Sequence, residues 1–187
     1  MALRLEKITK DFNDINKLKR LFIKAFPKNE RLPLWFLLMK ADKDFVDFIG
    51  FYDEDDFIGF TYLITNKDLT FVLYLAIDSS QRSKGYGGAV LSKIKELYPN
   101  NRLILNIEAI ISNSQNYEQR VKRKNFYIKN GYVNSGIMLK ENKDYFEIMI
   151  NQNELIEKEY SELIQRYSGI FFMFVKPKFI PYINDEN

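Results

Sequence analysis

The order of apolar patterns along the chain predicts a mixed α/β fold. Three observations carry that prediction. Helix-period and strand-period segments interleave. Residues 69–78 form a nearly continuous apolar run, the mark of a central strand buried on both faces. A glycine-rich turn follows that run and opens an amphipathic helix. No Gly/Ser- or Pro-rich linker and no internal repeat divides the 187 residues, so one domain over 1–187 is expected.

Residues 3–8 read as a first strand. Residues 12–26 carry Ile15, Leu18, Leu21, Phe22 and Ala25 at helical spacing, with Asp11 as the expected N-cap and Pro27 just past the end. A second helix, within 32–41, starts at Pro33, whose fixed φ suits a first turn. Residues 45–52 and 57–65 are β-rich around Asp53-Glu-Asp-Asp56, the acidic tip of a hairpin. Strand 69–78 is followed by a helix over 87–98, a strand over 102–109 and a helix over 115–130. A hairpin (132–140 and 144–150), a helix (154–167) and a last strand over 170–176 complete the series, the final part forming a strand-helix-strand extension.

Composition excludes several function classes. Hydrophobic residues make up 46% of the chain, enough for a core. The net charge of +3 is interspersed, so no nucleic-acid partner is expected. The charged N-terminus lacks the apolar stretch of a secretory signal. The longest apolar run near the C-terminus, Ile170–Val175, is far short of the ~20 residues that span a bilayer. A cytoplasmic protein with no membrane partner is expected, and no metal. The chain has no Cys and no His, so there is no thiolate nucleophile and no imidazole acid, base or ligand. Catalysis has to rest on carboxylates, Tyr, Lys, Ser/Thr or the backbone.

The most informative segment is Gln81-Arg-Ser-Lys-Gly-Tyr-Gly-Gly88, between a buried strand and a helix. Glycines at 85 and 87 let the backbone tighten so that its N–H groups converge at the helix start, where a phosphate is favoured. Arg82 and Lys84 stand beside it. A plain strand-to-helix turn needs the same glycines, so the segment alone is a weak signal.

Two motifs in order are more specific. Arg82, Gly85 and Gly87 after Leu75-Ala-Ile77, followed about 40 residues later by Phe126-Tyr127 and Gly131-Tyr132, resemble the acyl-CoA signature of the GNAT superfamily of acetyl-CoA-dependent N-acetyltransferases. The resemblance covers a core of about 3–140 and leaves 141–187 as an extension. Rival glycine motifs are missing, with no Gly-Lys-Ser/Thr and no Gly-x-Gly-x-x-Gly on the first strand–helix unit.

The resemblance implies a GNAT-like mixed, strongly twisted central sheet flanked by helices, with acetyl-CoA as co-substrate. Its pyrophosphate would rest on Arg82, Ser83, Lys84, Gly85, Tyr86, Gly87 and Gly88, and its pantetheine would pair with the main chain of Leu75, Ala76 and Ile77. Tyr127 becomes the acid that protonates the departing CoA thiolate, or a residue packed beneath the cofactor. Arg120 stands where many members have an Asn against the CoA chain, so it reaches a CoA phosphate or is a solvated helix residue. Glu108 is the candidate general base, and equally a partner of Arg120 or Arg123 in an ion pair. Glu30, Arg31 and Trp35 occupy what is usually the wall of the acceptor site, unless they form an exposed capping loop and a core aromatic. The basic run Lys122-Arg-Lys124 reads as a solvated face. The expected reaction is direct acetyl transfer to an unidentified primary amine in a ternary complex, by a monomer or homodimer; the alternative is a non-catalytic acyl-CoA-binding or sensing module.

Overall fold

The computed structural model describes residues 3–112, 114–141 and 143–182, apart from the side chain of Phe174. The chain has the expected mixed α/β fold, with mostly antiparallel strands. It divides into two units. One holds the residues up to Ile64 with Val72–Pro99, the other Thr65–Phe71 with the residues from Asn100 onward.

In the first unit, β1 (Arg4–Lys7), β2 (Val46–Asp53) and β3 (Asp56–Asn66, as far as Ile64) run antiparallel in sheet order, with β4 (Leu69–Ile77) next to β3. The acidic hairpin tip narrows to Glu54 and Asp55, because Asp53 pairs with Asp56. Helix α1 spans Ile15–Ala25 and α2 spans Leu34–Lys40 from Pro33 as N-cap. Helix α1 starts later than its apolar period suggests. Residues 9–15 are taken up by turns, Phe12 N–H to Thr9 and Ile15 N–H to Phe12, and Asp14 rather than Asp11 stands at the N-cap. Phe12 is buried in these turns, ahead of the helix.

The core of this unit is aromatic. Phe22, Phe48, Phe60 and Tyr62 are buried, and ring pairs such as Phe48–Tyr62 (5.0 Å) and Phe22–Tyr74 (5.1 Å) meet edge to face. Strand β4 is buried throughout 69–72, then alternates, with Leu73, Leu75 and Ile77 half-buried. Burial on both faces, expected for its whole length, holds only for the first half. Helix α3 (Tyr86–Leu97) follows and buries Tyr86, Val90, Leu91 and Ile94.

In the second unit the start of β4 pairs in parallel with β5 (Arg102–Glu108) over three positions, ending at Phe71 and Ile104. The sheet order continues β5, β7 (Asp144–Ile150), β6 (Val133–Glu141) and β8 (Phe179–Ile180), all antiparallel. Helix α4 (Tyr117–Lys129) lies between β5 and β6 in the chain, and α5 (Glu157–Ser168) follows β7, burying Tyr160, Leu163 and Tyr167. Arg102 fastens three segments. It bonds Asp68 through Nε (2.9 Å), Glu159 through both terminal nitrogens (2.8 and 2.9 Å) and the Glu154 carbonyl (2.7 Å).

The last expected strand is corrected. Residues Gly169–Phe171 form a 3₁₀ turn and Phe172–Val175 a short helix, α6, while the final strand is Phe179–Ile180. A short apolar run does not distinguish strand from helix. Ile170 and Met173 are each 88% exposed, so the run does not fill a sheet. Among the described residues no helix is long and apolar enough to cross a membrane.

Candidate functional site

In the first unit, β4 leads into a turn that holds its backbone donors outward. Asp78 caps a 3₁₀ turn at Ser79–Gln81, accepting from the N–H (2.9 Å) and the hydroxyl (2.7 Å) of Ser80. Those bonds, the hydroxyl's first, hold its carboxyl below the usual range. Residues 82–85 are exposed. Ser83 (φ 64°) and Gly85 (φ 85°) are both left-handed, which turns successive N–H groups toward one side. A side chain at Gly85 would meet nothing within 4 Å, so the tight backbone is a conformational need and not a packing one.

Gly85 is the N-cap of α3 and supplies no side-chain cap. The first helical bond runs from Ala89 N–H to the Gly85 carbonyl (3.1 Å), so the amides of Tyr86, Gly87 and Gly88 stand ahead of the ladder. Twelve residues of aligned peptide dipole add partial positive charge there. Lys84 Nζ donates to Gln81 (2.9 Å) and Arg82 Nε to the Ile77 carbonyl (3.4 Å), which keeps both cations beside the turn. The hydroxyl of Tyr86 donates to Asp53 (2.5 Å), fixing the first residue of α3 to the β2–β3 hairpin. Such a group of donors and cations can hold a diphosphate.

Leu75, Ala76 and Ile77 lie on β4 just before this turn, with Ala76 buried and its neighbours half-buried. On the same unit, the hydroxyl of Tyr74 donates to the Glu30 carbonyl (2.7 Å) and accepts from Leu32 N–H (2.9 Å). One phenol therefore ties the α1–α2 connection to β4. Periodicity marks Tyr74 only as core, and no sequence signal announces its second task. Trp35 is 67% exposed, which corrects its reading as a core aromatic.

In the second unit, Glu108 at the end of β5 meets Arg120 (3.0 Å) and Arg123 (2.7 Å), and accepts from Asn116 (3.2 Å). Arg120 is largely buried, with Nε on Asn116 (2.8 Å) and a terminal nitrogen on the Ala109 carbonyl (2.7 Å). It is not a solvated helix residue. The basic run 122–124 is mixed: Lys122 is exposed, whereas Lys124 turns inward to the buried carboxylate of Glu147 (2.6 Å).

Tyr127 sits in the last turns of α4, half-buried against Phe126 (5.1 Å) and the fully buried Tyr132 (5.8 Å). Burial pushes its phenol up to about 12, with the Arg123 guanidinium pulling the other way. Such a group is neutral near pH 7 and able to donate its proton. Its carbonyl accepts from the N–H groups of Asn130 (3.0 Å) and Tyr132 (3.0 Å), which closes the helix around Gly131 (φ 81°). Among the described residues no group of three or more Asp or Glu is arranged to hold a metal ion.

The family model described as the acetyltransferase (GNAT) family matches residues 11–132. No curated protein matches the chain in sequence. Among solved structures it is similar to a GNAT-family protein from Bacteroides thetaiotaomicron described as an acetyltransferase, with a TM-score of 0.71 and 23% identity over 90% of this chain and 98% of that one. It is also similar to an aminoglycoside 6'-N-acetyltransferase complexed with coenzyme A (TM-score 0.62, 14% identity, 79% and 95% covered). A third is the ribosomal-protein-S18-alanine N-acetyltransferase of Escherichia coli (TM-score 0.61, 14% identity, 83% and 96% covered).

Proposed function

Since the chain belongs to the GNAT acetyltransferase family, we propose that it moves an acetyl group from acetyl-CoA directly to a primary amine, with no acetyl-enzyme intermediate. The turn at residues 82–88, exposed over 82–85 and without a side-chain cap, is the observation that carries this reading. Its free amides and flanking cations suit the pyrophosphate. The β4–β5 ladder ends at Phe71, and β4 continues for six residues to Ile77. The proposed pantetheine partners, the main chain of Leu75, Ala76 and Ile77, belong to that continuation. With neither Cys nor His in the chain, a covalent relay has no customary nucleophile.

In the proposed reaction the amine nitrogen attacks the thioester carbonyl. The C–N bond forms, a strand N–H stabilises the oxyanion, and the C–S bond then breaks. Tyr127 gives its proton to the departing thiolate, the amine nitrogen releases its surplus proton to solvent water, and the Tyr127 phenolate takes a proton back from solvent. Glu108 has both oxygens engaged by guanidinium groups. Its proposed role therefore moves from proton acceptor to the post that fixes α4, and with it Tyr127. The acceptor wall is proposed at Glu30 and Trp35, beside the connection that Tyr74 holds.

Thermal unfolding with and without acetyl-CoA tests the cradle. Acetyl-CoA should raise Tm by mass action, and Gly87→Leu should abolish the rise while leaving the unliganded Tm within a few degrees. An equal rise in the variant would remove the basis of the proposal. Turnover with a panel of amines separates an enzyme from a module that holds acyl-CoA without transfer.

A further inference from the structure

Arg31 is a guanidinium that the fold positions and leaves without a partner. Its Nε is buried with no hydrogen-bond acceptor, and among the described residues none of the ion pairs involves it. The guanidinium groups of Arg102 and Arg120, by contrast, are fully engaged. Arg102 spends its donors on Asp68, Glu159 and a carbonyl, and Arg120 on Glu108, Asn116 and a carbonyl. The buried Nε is an orphaned donor, and the terminal nitrogens, which are not buried, stay open to a ligand from outside the chain.

The backbone at Arg31 is also not adrift. The two residues that flank it, Glu30 and Leu32, are the ones bonded by the Tyr74 hydroxyl at 2.7 and 2.9 Å. Tyr74 lies on β4, one residue before the stretch 75–77 proposed to carry the pantetheine. The guanidinium is therefore fastened to the strand along which the acetyl group would be delivered. We propose that Arg31 receives the carboxylate of the acyl acceptor, so that the substrate is a small amine bearing a carboxylate, of the amino-acid class. A planar fork of donors suits a carboxylate in two-point contact and gives nothing to a simple amine. The exposed indole of Trp35, in the first turn of α2, offers an apolar surface for the rest of such a molecule. The inference rests on the acceptor-site reading of this segment.

The test compares matched acceptors that differ only in the carboxylate: phenylalanine with phenethylamine, and lysine with cadaverine. The wild type should favour the carboxylate member in kcat/KM by about 10- to 100-fold, the worth of a charge-assisted pair. Arg31→Gln should erase that preference through KM, lowering kcat/KM for the carboxylate member far more than for its carboxylate-free partner, and leave stabilisation by acetyl-CoA intact. Arg31→Lys should retain part of the preference, since charge remains and the fork does not. Calorimetric binding of N-acetylphenylalanine against its amide reads the same preference without turnover. Equal handling of both members by the wild type, or an equal loss on both in Arg31→Gln, overturns the assignment. Failure of acetyl-CoA to stabilise the protein would instead overturn the transferase reading, and the calorimetric arm would still report on Arg31.

Discussion

Gly59 and the carbonyl of Ala76 approach so closely that a Cβ on Gly59 would lie 2.2 Å from the Ala76 oxygen. The same Cβ would stand 3.1 Å from the Cα of Ile77. Both obstacles are backbone, which cannot swing aside as a side-chain tip can. Gly59 therefore sets how β3 meets the part of β4 proposed to face the pantetheine. Gly59→Ala should cost at least about 2 kcal/mol, a fall in Tm on the order of 5 °C or more. It should also weaken acetyl-CoA stabilisation, because the strand has to shift. Thermal unfolding with and without acetyl-CoA checks both effects.

Tyr127→Phe keeps the ring packing against Phe126 and Tyr132 and removes only the proton. Its kcat should fall about 10²- to 10⁴-fold with acetyl-CoA binding unchanged. An unaltered kcat at every pH would remove Tyr127 from the chemistry.

The same phenol makes a stability prediction. Its folded pKa is raised to about 12 from an ordinary value of 10.0, so its contribution is fully present below pH 10 and is lost as pH rises toward 12. Urea unfolding from pH 9 to 12 should show stability falling across that window. The fall should be shallower in Tyr127→Phe.

Glu108→Gln should lower stability by about 2 kcal/mol, because it leaves Arg120, nearly enclosed, with one partner fewer. Its kcat should drop modestly while the acidic limb of the kcat/KM profile keeps its position. Disappearance of that limb would restore Glu108 as the proton acceptor.

Arg102 holds both Asp68 and Glu159 below their usual carboxyl range, in each case first through its hydrogen bonds. The stability this gives is present above the unfolded values of 3.8 and 4.5 and is lost as pH falls through the lower folded ones. Acid unfolding of Arg102→Gln should accordingly be less steep below about pH 4.5 than that of the wild type.

The architecture was legible wherever one period ruled. Strands β2 to β5 and helices α3 to α5 fall within a few residues of their expected spans; α3 and α5 bury one stripe, β2 and β3 are buried almost throughout, and α4 has no fully buried residue. At the turn, the expected need for glycine holds at Gly85 alone: Gly87 and Gly88 lie in α3 without a positive φ, and the second left-handed residue is Ser83, which carries no such signal. The run 170–175 misled because a short apolar stretch carries no label for the element that supplies it, nor for whether it is buried. The satisfied state of Arg120 and the unsatisfied state of Arg31 had no sequence signature at all. Each depends on which distant groups arrive beside it, as when Glu108 reaches Arg120 from the end of another strand.

Glu147, only 4% exposed, faces Lys124 from helix α4 and Asn134 from β6, both at 2.6 Å. Neither member of the acid–base couple survives alone at low cost, since each would strand its companion's charge out of water. Replacing both positions by neutral side chains of similar size should therefore be tolerated better than replacing either one alone.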